Sequence, residues 1–221
     1  GAEVITAEYY GFSATATATV ELETGTMTDQ DGNEYQTVKI GSQWWMAENL
    51  KVQHYRNGDE IPAVTDPGDW SALSSGARCA YDNNGKKVNT YGYLYNWHAV
   101  NDNRNIAPEG WHVPTDGEVH TLATYLGGYA VAGGKMKEEG TTHWQSPNEG
   151  ATNECGFTAL PGGHREADGN FEWINYYAYF WLATEENTYE ARSRMLSYGY
   201  TELYRETASK TEGLSVRLVK D

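Results

Sequence analysis

Hydrophobic and polar positions recur with two different periods along this chain. Residues 13–23, SATATATVELE, alternate Ala14, Ala16, Ala18, Val20 and Leu22 with Thr15, Thr17, Thr19, Glu21 and Glu23. A period of two predicts an edge-like strand. Tyr91, Tyr93, Tyr95 and Trp97 alternate with Gly92, Leu94, Asn96 and His98, which predicts a second, buried strand with large rings on one side. The period then changes: Val119, Leu122, Ala123 and Leu126 recur at helical spacing. Thr115 precedes Glu118 by three positions, the capping-box spacing, and Gly127-Gly128 supplies residues able to close a helix C-terminus. The pattern predicts a main helix over 115–126, with Trp111 and Val113 packing its entry and Pro108 and Gly110 bending the chain before it. Residues 130–140 read as a second short helix or turn.

Turn residues divide the rest. Asp31-Gly32 starts a strand over 35–40, and Gly41-Ser42 returns it through Trp44, Trp45 and Met46. Residues 51–76 are polar and read as a surface loop with a helical turn near 69–73. Phe157, Ala159 and Pro161 alternate ahead of Gly162-Gly163, which permits a backbone turn. The favoured reading is a core strand ending in a structural Arg165. Residues 191–204 and 214–219 read as two or three closing strands, with Leu214, Val216 and Leu218 on one side and Arg217 opposite. Short antiparallel ribbons around one main capped helix and a minor helix make a loop-rich α+β fold.

Composition narrows the class. A chain of 221 residues predicts one large domain, or a domain with a short appendage. With 16 basic and 31 acidic residues the formal charge is -15, which repels phosphate backbones and anionic lipid and argues against nucleic-acid binding. No run reaches the length of a membrane span, so no membrane insertion is expected. The 24 Gly, 17 Tyr and 8 Trp against 4 Phe favour half-exposed amphipathic rings and many turns. GAEVITAEYY lacks the charged and apolar regions of a signal peptide, so an export signal would belong to a longer precursor. Cys79 and Cys155 allow at most one bridge; two free buried thiols are the favoured state.

Five segments carry a family resemblance. APEGWHVPTDGEV resembles the G-W-H-V-P-T-D-x-E-W segment of the Fibrobacter succinogenes major paralogous domain family. DGNEYQTVKIGSQWWMAENLK at 31–51, YGYLYNWHAV at 91–100, GATNECGFTALPGGHR at 150–165 and GLSVRLVKD at 213–221 resemble it in the expected order. The resemblance covers residue 27 to the C-terminus. It implies a C-type-lectin-like fold, distantly similar to formylglycine-generating-enzyme-like domains. Structural roles follow for Trp97, Trp111, Thr115, Glu118, Gly162, Gly163, Arg165 and Arg217. Residues 1–26 then stand apart as an N-terminal strand or the remnant of an upstream module, with 27–221 as the domain proper. Val119-His120 stands where the family commonly has Trp, Leu182-Ala183 where it has serines, and Leu218 where it often has Cys.

The search for chemistry returns little. There is no G-x-S-x-G elbow, phosphate-cradling glycine loop, H-E-x-x-H motif or Cys pair at metal spacing. The reactive cysteine pair of the formylglycine-generating relatives is missing, so fold similarity licenses no such activity. Adjacent acids such as Glu138-Glu139 and Glu185-Glu186 point apart on a strand or turn. No E-P-N, Q-P-D or W-N-D sugar triplet of calcium-dependent lectins occurs. Asp82, Asn83 and Asn84 are candidate calcium ligands, because calcium takes carboxylate and amide oxygens from flexible turns, although D-N-N-G is also a common turn sequence. No other cofactor is implied. The richest aromatic window, 168–181, offers Phe171, Trp173, Tyr176, Tyr177 and Tyr179 for stacking on sugar rings or a protein partner; filling a core is the competing role. The expected function is a non-enzymatic, exported surface or fimbria-associated adhesion module, with residues 13–23 available for assembly by strand addition. A hydrolase or oxidase on the same scaffold and a purely structural spacer are the alternatives.

Overall fold

The structure, a computed structural model, describes residues 2–9, 12–19 and 21–221. The N-terminal alternation forms β2 (Phe12–Thr19), paired antiparallel along its length with β1 (Ala2–Tyr9). β2 therefore ends at Thr19, short of the expected residue 23; Val20 lies outside the described residues, and 21–23 have no regular structure.

The elements that follow are β3 (Thr24–Thr28), β4 (Glu34–Ile40), β5 (Gln43–Met46), α1 (Pro67–Ser71), β6 (Arg78–Cys79), α2 (Val88–Tyr91), β7 (Leu94–Tyr95), α3 (Trp97–Val100) and β8 (Trp111–His112). Then come α4 (Asp116–Tyr125), α5 (Tyr129–Met136), β9 (Gly162–Arg165), β10 (Phe171–Ile174), β11 (Tyr177–Glu185), β12 (Glu190–Ser197), β13 (Leu203–Ser209) and β14 (Val219–Lys220). One five-stranded sheet has the order β3-β4-β5-β14-β8, a second β10-β9-β11-β12-β13, and β6 pairs with β7. Sheets whose strands pair antiparallel, except for the parallel contact of β9 with β11, and a few helices between them make an α+β domain. Residues 24–26, which the sequence reading places in the N-terminal remnant, lie in β3 and join the first sheet.

Local chemistry explains the turns. The Asp29 carboxylate accepts from the Asp31 and Asn33 amides at 2.9 and 3.0 Å and from the Tyr35 hydroxyl at 2.6 Å, tying the predicted Asp31-Gly32 turn into β4. The capping box is formed: the Glu118 amide donates to Thr115 Oγ1, and the Thr115 amide donates to Glu118 Oε2 at 2.8 Å. Val119, Leu122 and Ala123 of α4 are buried, as the helical period predicts. The helical turn expected near 69–73 is α1, and the minor helix is α5.

Two expected strands are corrected. Within 91–97 only Leu94 and Tyr95 form a strand; Tyr91 ends α2, and Trp97 opens α3. Asn96 is the cause: its side-chain oxygen accepts from the Ala77 and Ala99 amides at 2.9 and 3.1 Å, and this cap overrides the alternation. Tyr95 and Trp97 are buried all the same, with the Tyr95 hydroxyl donating to the Val52 carbonyl at 2.7 Å and Trp97 Nε1 to the Leu182 carbonyl at 2.9 Å. In the second case the strand lies later than expected. Gly162-Gly163 is the start of β9 rather than a turn after a strand, and Ala159 makes only a single bridge to Lys137.

The core has two main halves and a satellite. One half gathers Tyr35, Met46, Tyr95, Trp97, Trp111 and Trp181; the other gathers Trp45, Leu122, Trp144, Phe157, Phe180 and Leu196. Residues 214–219 thread between them. Leu214, Val216 and Leu218 enter the first half and Val219 the second, while Arg217 lies with its guanidinium 4.7 Å from the Phe157 ring. Each large side chain buried this way contributes on the order of 2–3 kcal/mol. The satellite surrounds Trp70, Tyr81 and Cys79. Both thiols are free and buried; burial pushes the Cys79 pKa up to about 12 and that of Cys155 to about 11.

Candidate functional site

The second sheet has two faces with different fates. Ala178, Phe180 and Leu182 of β11, with Leu196 and Leu203, point into the core. The alternate positions of β11 are Tyr177, Tyr179 and Trp181. Trp181 is covered by the first core half, whereas Tyr177 and Tyr179 are half-buried at the open end of that face. Cross-strand register continues this row: Glu172 on β10 faces His164 on β9, and Tyr179 faces Met195, which faces Tyr204.

Left-handed backbone at Gly163 and Trp173, which face each other across β9 and β10, puts Trp173 on the surface. Gly163 has φ +61°, and a Cβ there would stand 2.4 Å from the Glu172 carbonyl oxygen and 2.6 Å from the Ile174 nitrogen. Only glycine allows that approach. Opposite it Trp173 takes φ 65°, and Asn175 takes φ 70°. A bulky residue in the left-handed region is strained by about 1–3 kcal/mol. Trp173 is 47% exposed.

The predicted aromatic residues divide accordingly. Trp173, Tyr176 and Tyr177 are brought together: the Trp173 ring lies 6.3 Å from Tyr176 and 5.6 Å from Tyr177, in both cases nearly perpendicular. Tyr176 is also exposed. Tyr198, absent from the sequence reading, completes the group 5.3 Å from Tyr176, and the exposed Tyr200 stands 6.2 Å from Tyr204. Their signal was the alternation of Tyr198 with Tyr200 just after a strand. Tyr179 stacks on His164 at 4.6 Å and 11°. Phe171 does not join the group; it packs on Tyr81 at 5.3 Å and under the Arg165 guanidinium at 4.8 Å, in the satellite core.

Acidic groups border these rings. Glu166 Oε1 lies 3.2 Å from His164 Nε2, and Glu212 Oε2 lies 3.6 Å from His164 Nδ1. Burial raises the Glu166 pKa; the neighbouring Glu212, Glu172 and Asp168 raise it further, and His164 opposes them. Sequence reasoning missed this cluster because its members come from β9, β10 and two loops.

Asp82, Asn83 and Asn84 stand elsewhere, on a short turn where Asp82 and Asn83 have positive φ. Asp82 Oδ2 is paired with Lys87 Nζ at 2.6 Å, Asn83 donates to the Thr65 carbonyl, and Asn84 Oδ1 accepts from the Lys86 amide. These oxygens serve the turn. Arg165 and Arg217 are buried and bonded to main-chain oxygens, whereas Thr115 is exposed and Glu118 half-buried at the helix cap. Arg165 donates to the carbonyls of Gly169, Val64 and Thr65, and Arg217 to Asn49 Oδ1 and the carbonyls of Met46, Phe157 and Thr158.

Fold and site together define an α+β domain of two five-stranded sheets with an aromatic, acid-bordered end on one of them. The chain belongs to the Fibrobacter succinogenes major domain family, whose model matches residues 38–220. No curated protein and no solved structure matches it significantly. Among the described residues no helix is long and apolar enough to cross a membrane.

Proposed function

We propose that this chain is a non-enzymatic, exported adhesion module that binds glycan through the ring cluster of Trp173, Tyr176 and Tyr177. The observation that carries this reading is the strained, exposed Trp173. A tryptophan filling space has no need of a left-handed backbone that turns it to solvent, and the cost persists where a function uses the ring. Perpendicular neighbours give the cluster a corner. A sugar ring stacked on one aromatic face meets the edge and hydroxyls of the next. Such a corner suits a single sugar unit of a chain.

The C-type-lectin-like architecture belongs to the same reading. It is supported by the closing strand β14, seated between β5 and β8, which leaves the segments between to project as loops. Assembly into a larger or fimbria-like protein would use the N-terminal hairpin, whose two-stranded sheet offers an edge for strand addition.

Glycan-array binding followed by titration calorimetry tests the proposal. Trp173→Ala and Tyr176→Ala are expected to weaken the selected glycan at least about tenfold, while Tyr189→Ala, a still more exposed ring outside the cluster, leaves it unchanged. No glycan bound, or binding indifferent to Trp173→Ala, overturns the proposal. Capture of a protein partner that depends on Trp173 would replace glycan by protein as the ligand.

A further inference from the structure

His164 is 6% exposed, yet among the described residues neither of its ring nitrogens has a hydrogen-bond partner. A buried imidazole in that state is costly, because each unpaired polar atom forfeits the water it had in the unfolded chain. The nearest groups are carboxylates, and the 3.2 Å approach of Glu166 to Nε2 is close without being aligned as a hydrogen bond. His164, Glu166 and Glu172 each present a ligand atom, and these atoms lie within 4.8 Å of one another. They converge on a common point rather than pairing among themselves.

We infer that His164, Glu166 and Glu172 form a binding site for a divalent transition metal ion, with zinc and manganese as its best-fitting occupants. Three features agree. Tetrahedral zinc with ligand bonds of about 2.0–2.2 Å separates its ligand atoms by about 3.3 Å, close to the observed Nε2 to Oε1 distance of 3.2 Å. A metal-bound histidine commonly offers its second nitrogen to a carboxylate, and Glu212 stands 3.6 Å from Nδ1 in that position. The imidazole nitrogen suits zinc and the two carboxylates suit manganese, whereas calcium prefers oxygen alone.

The geometry also says what the ion does. Glu172 sits directly across from His164 on the neighbouring strand, so the metal clamps β10 to β9 next to the left-handed pair Gly163 and Trp173. Tyr179 stacked on the ring fixes its plane. Three protein ligands leave a coordination position open to water or to a ligand oxygen.

Titration calorimetry of metal-stripped protein with zinc or manganese chloride, at about 0.15 M salt to screen the acidic surface, tests the site. One equivalent is expected to bind, and Glu172→Gln and Glu166→Gln are each expected to weaken it by at least about tenfold. Both carboxylates are partly exposed, so these variants keep the fold even where His164→Gln does not. Cobalt substitution should give visible d–d absorption that Glu172→Gln reduces, while Asp82→Asn leaves it unchanged. Absence of binding, or binding untouched by both glutamine variants, overturns the inference. So does calcium binding as tightly as zinc, which would mark a site of oxygens alone.

Discussion

Arg217 packs its charge against phenylalanine in the interior, 1% exposed. Burial lowers its pKa, and four oxygen acceptors around the guanidinium hold the charge in place. Its function is to satisfy carbonyls where two core halves meet. Arg217→Met keeps the bulk but strands those acceptors, and at about 1–3 kcal/mol for each buried acceptor left unpaired it should destabilise the domain by several kcal/mol. Urea denaturation measures this; a loss under about 1 kcal/mol would mean that water satisfies the carbonyls instead. Alternation set Arg217 opposite Leu214, Val216 and Leu218, and the resemblance implied a structural role for it; the fold buries it against Phe157. His164 was different. A single histidine carries no signal until the fold surrounds it with glutamates from β10 and two loops.

At the scale of elements, the main helix is anchored through His112. Its Nε2 lies 2.7 Å from Glu118 Oε1 and its Nδ1 2.6 Å from Asp221 Oδ1, so both ring nitrogens face carboxylates and both carry protons when the contacts are made. Burial alone would lower the His112 pKa; the bonds to Asp221 and Glu118 outweigh it and raise the pKa above the ordinary 6.5. A group with a raised folded pKa contributes stability that is complete below its unfolded value and disappears as pH climbs through the folded value. The intact protein should therefore exceed His112→Gln in melting temperature at about pH 6 and lose that margin by about pH 9. A margin constant across this range would refute the linkage. The capping box itself was legible because Thr115 and Glu118 stand three apart with apolar positions behind them. The 91–97 strand was misread because Asn96 caps a helix through Ala99 and also ties down Ala77, and the second contact is invisible in sequence.

At the scale of the molecule, residues 214–219 join the two core halves, and β14 joins β5 to β8. Removing residues 214–221 should therefore abolish folding rather than fray an end. The near-UV circular dichroism of the buried tryptophans would report it; a retained native spectrum would show that the first sheet closes without β14. Periodicity, caps and turn residues are local, and they determined by themselves the helix at α4, the hairpin of β4 and β5, and the α+β class. The motif series was enough to place the family. The tertiary structure alone decided which aromatics reach solvent and which acids meet His164. Exposure and proximity depend on how distant strands pair, and the left-handed backbone of Trp173 opposite Gly163 turns a ring outward in a way no sequence period encodes.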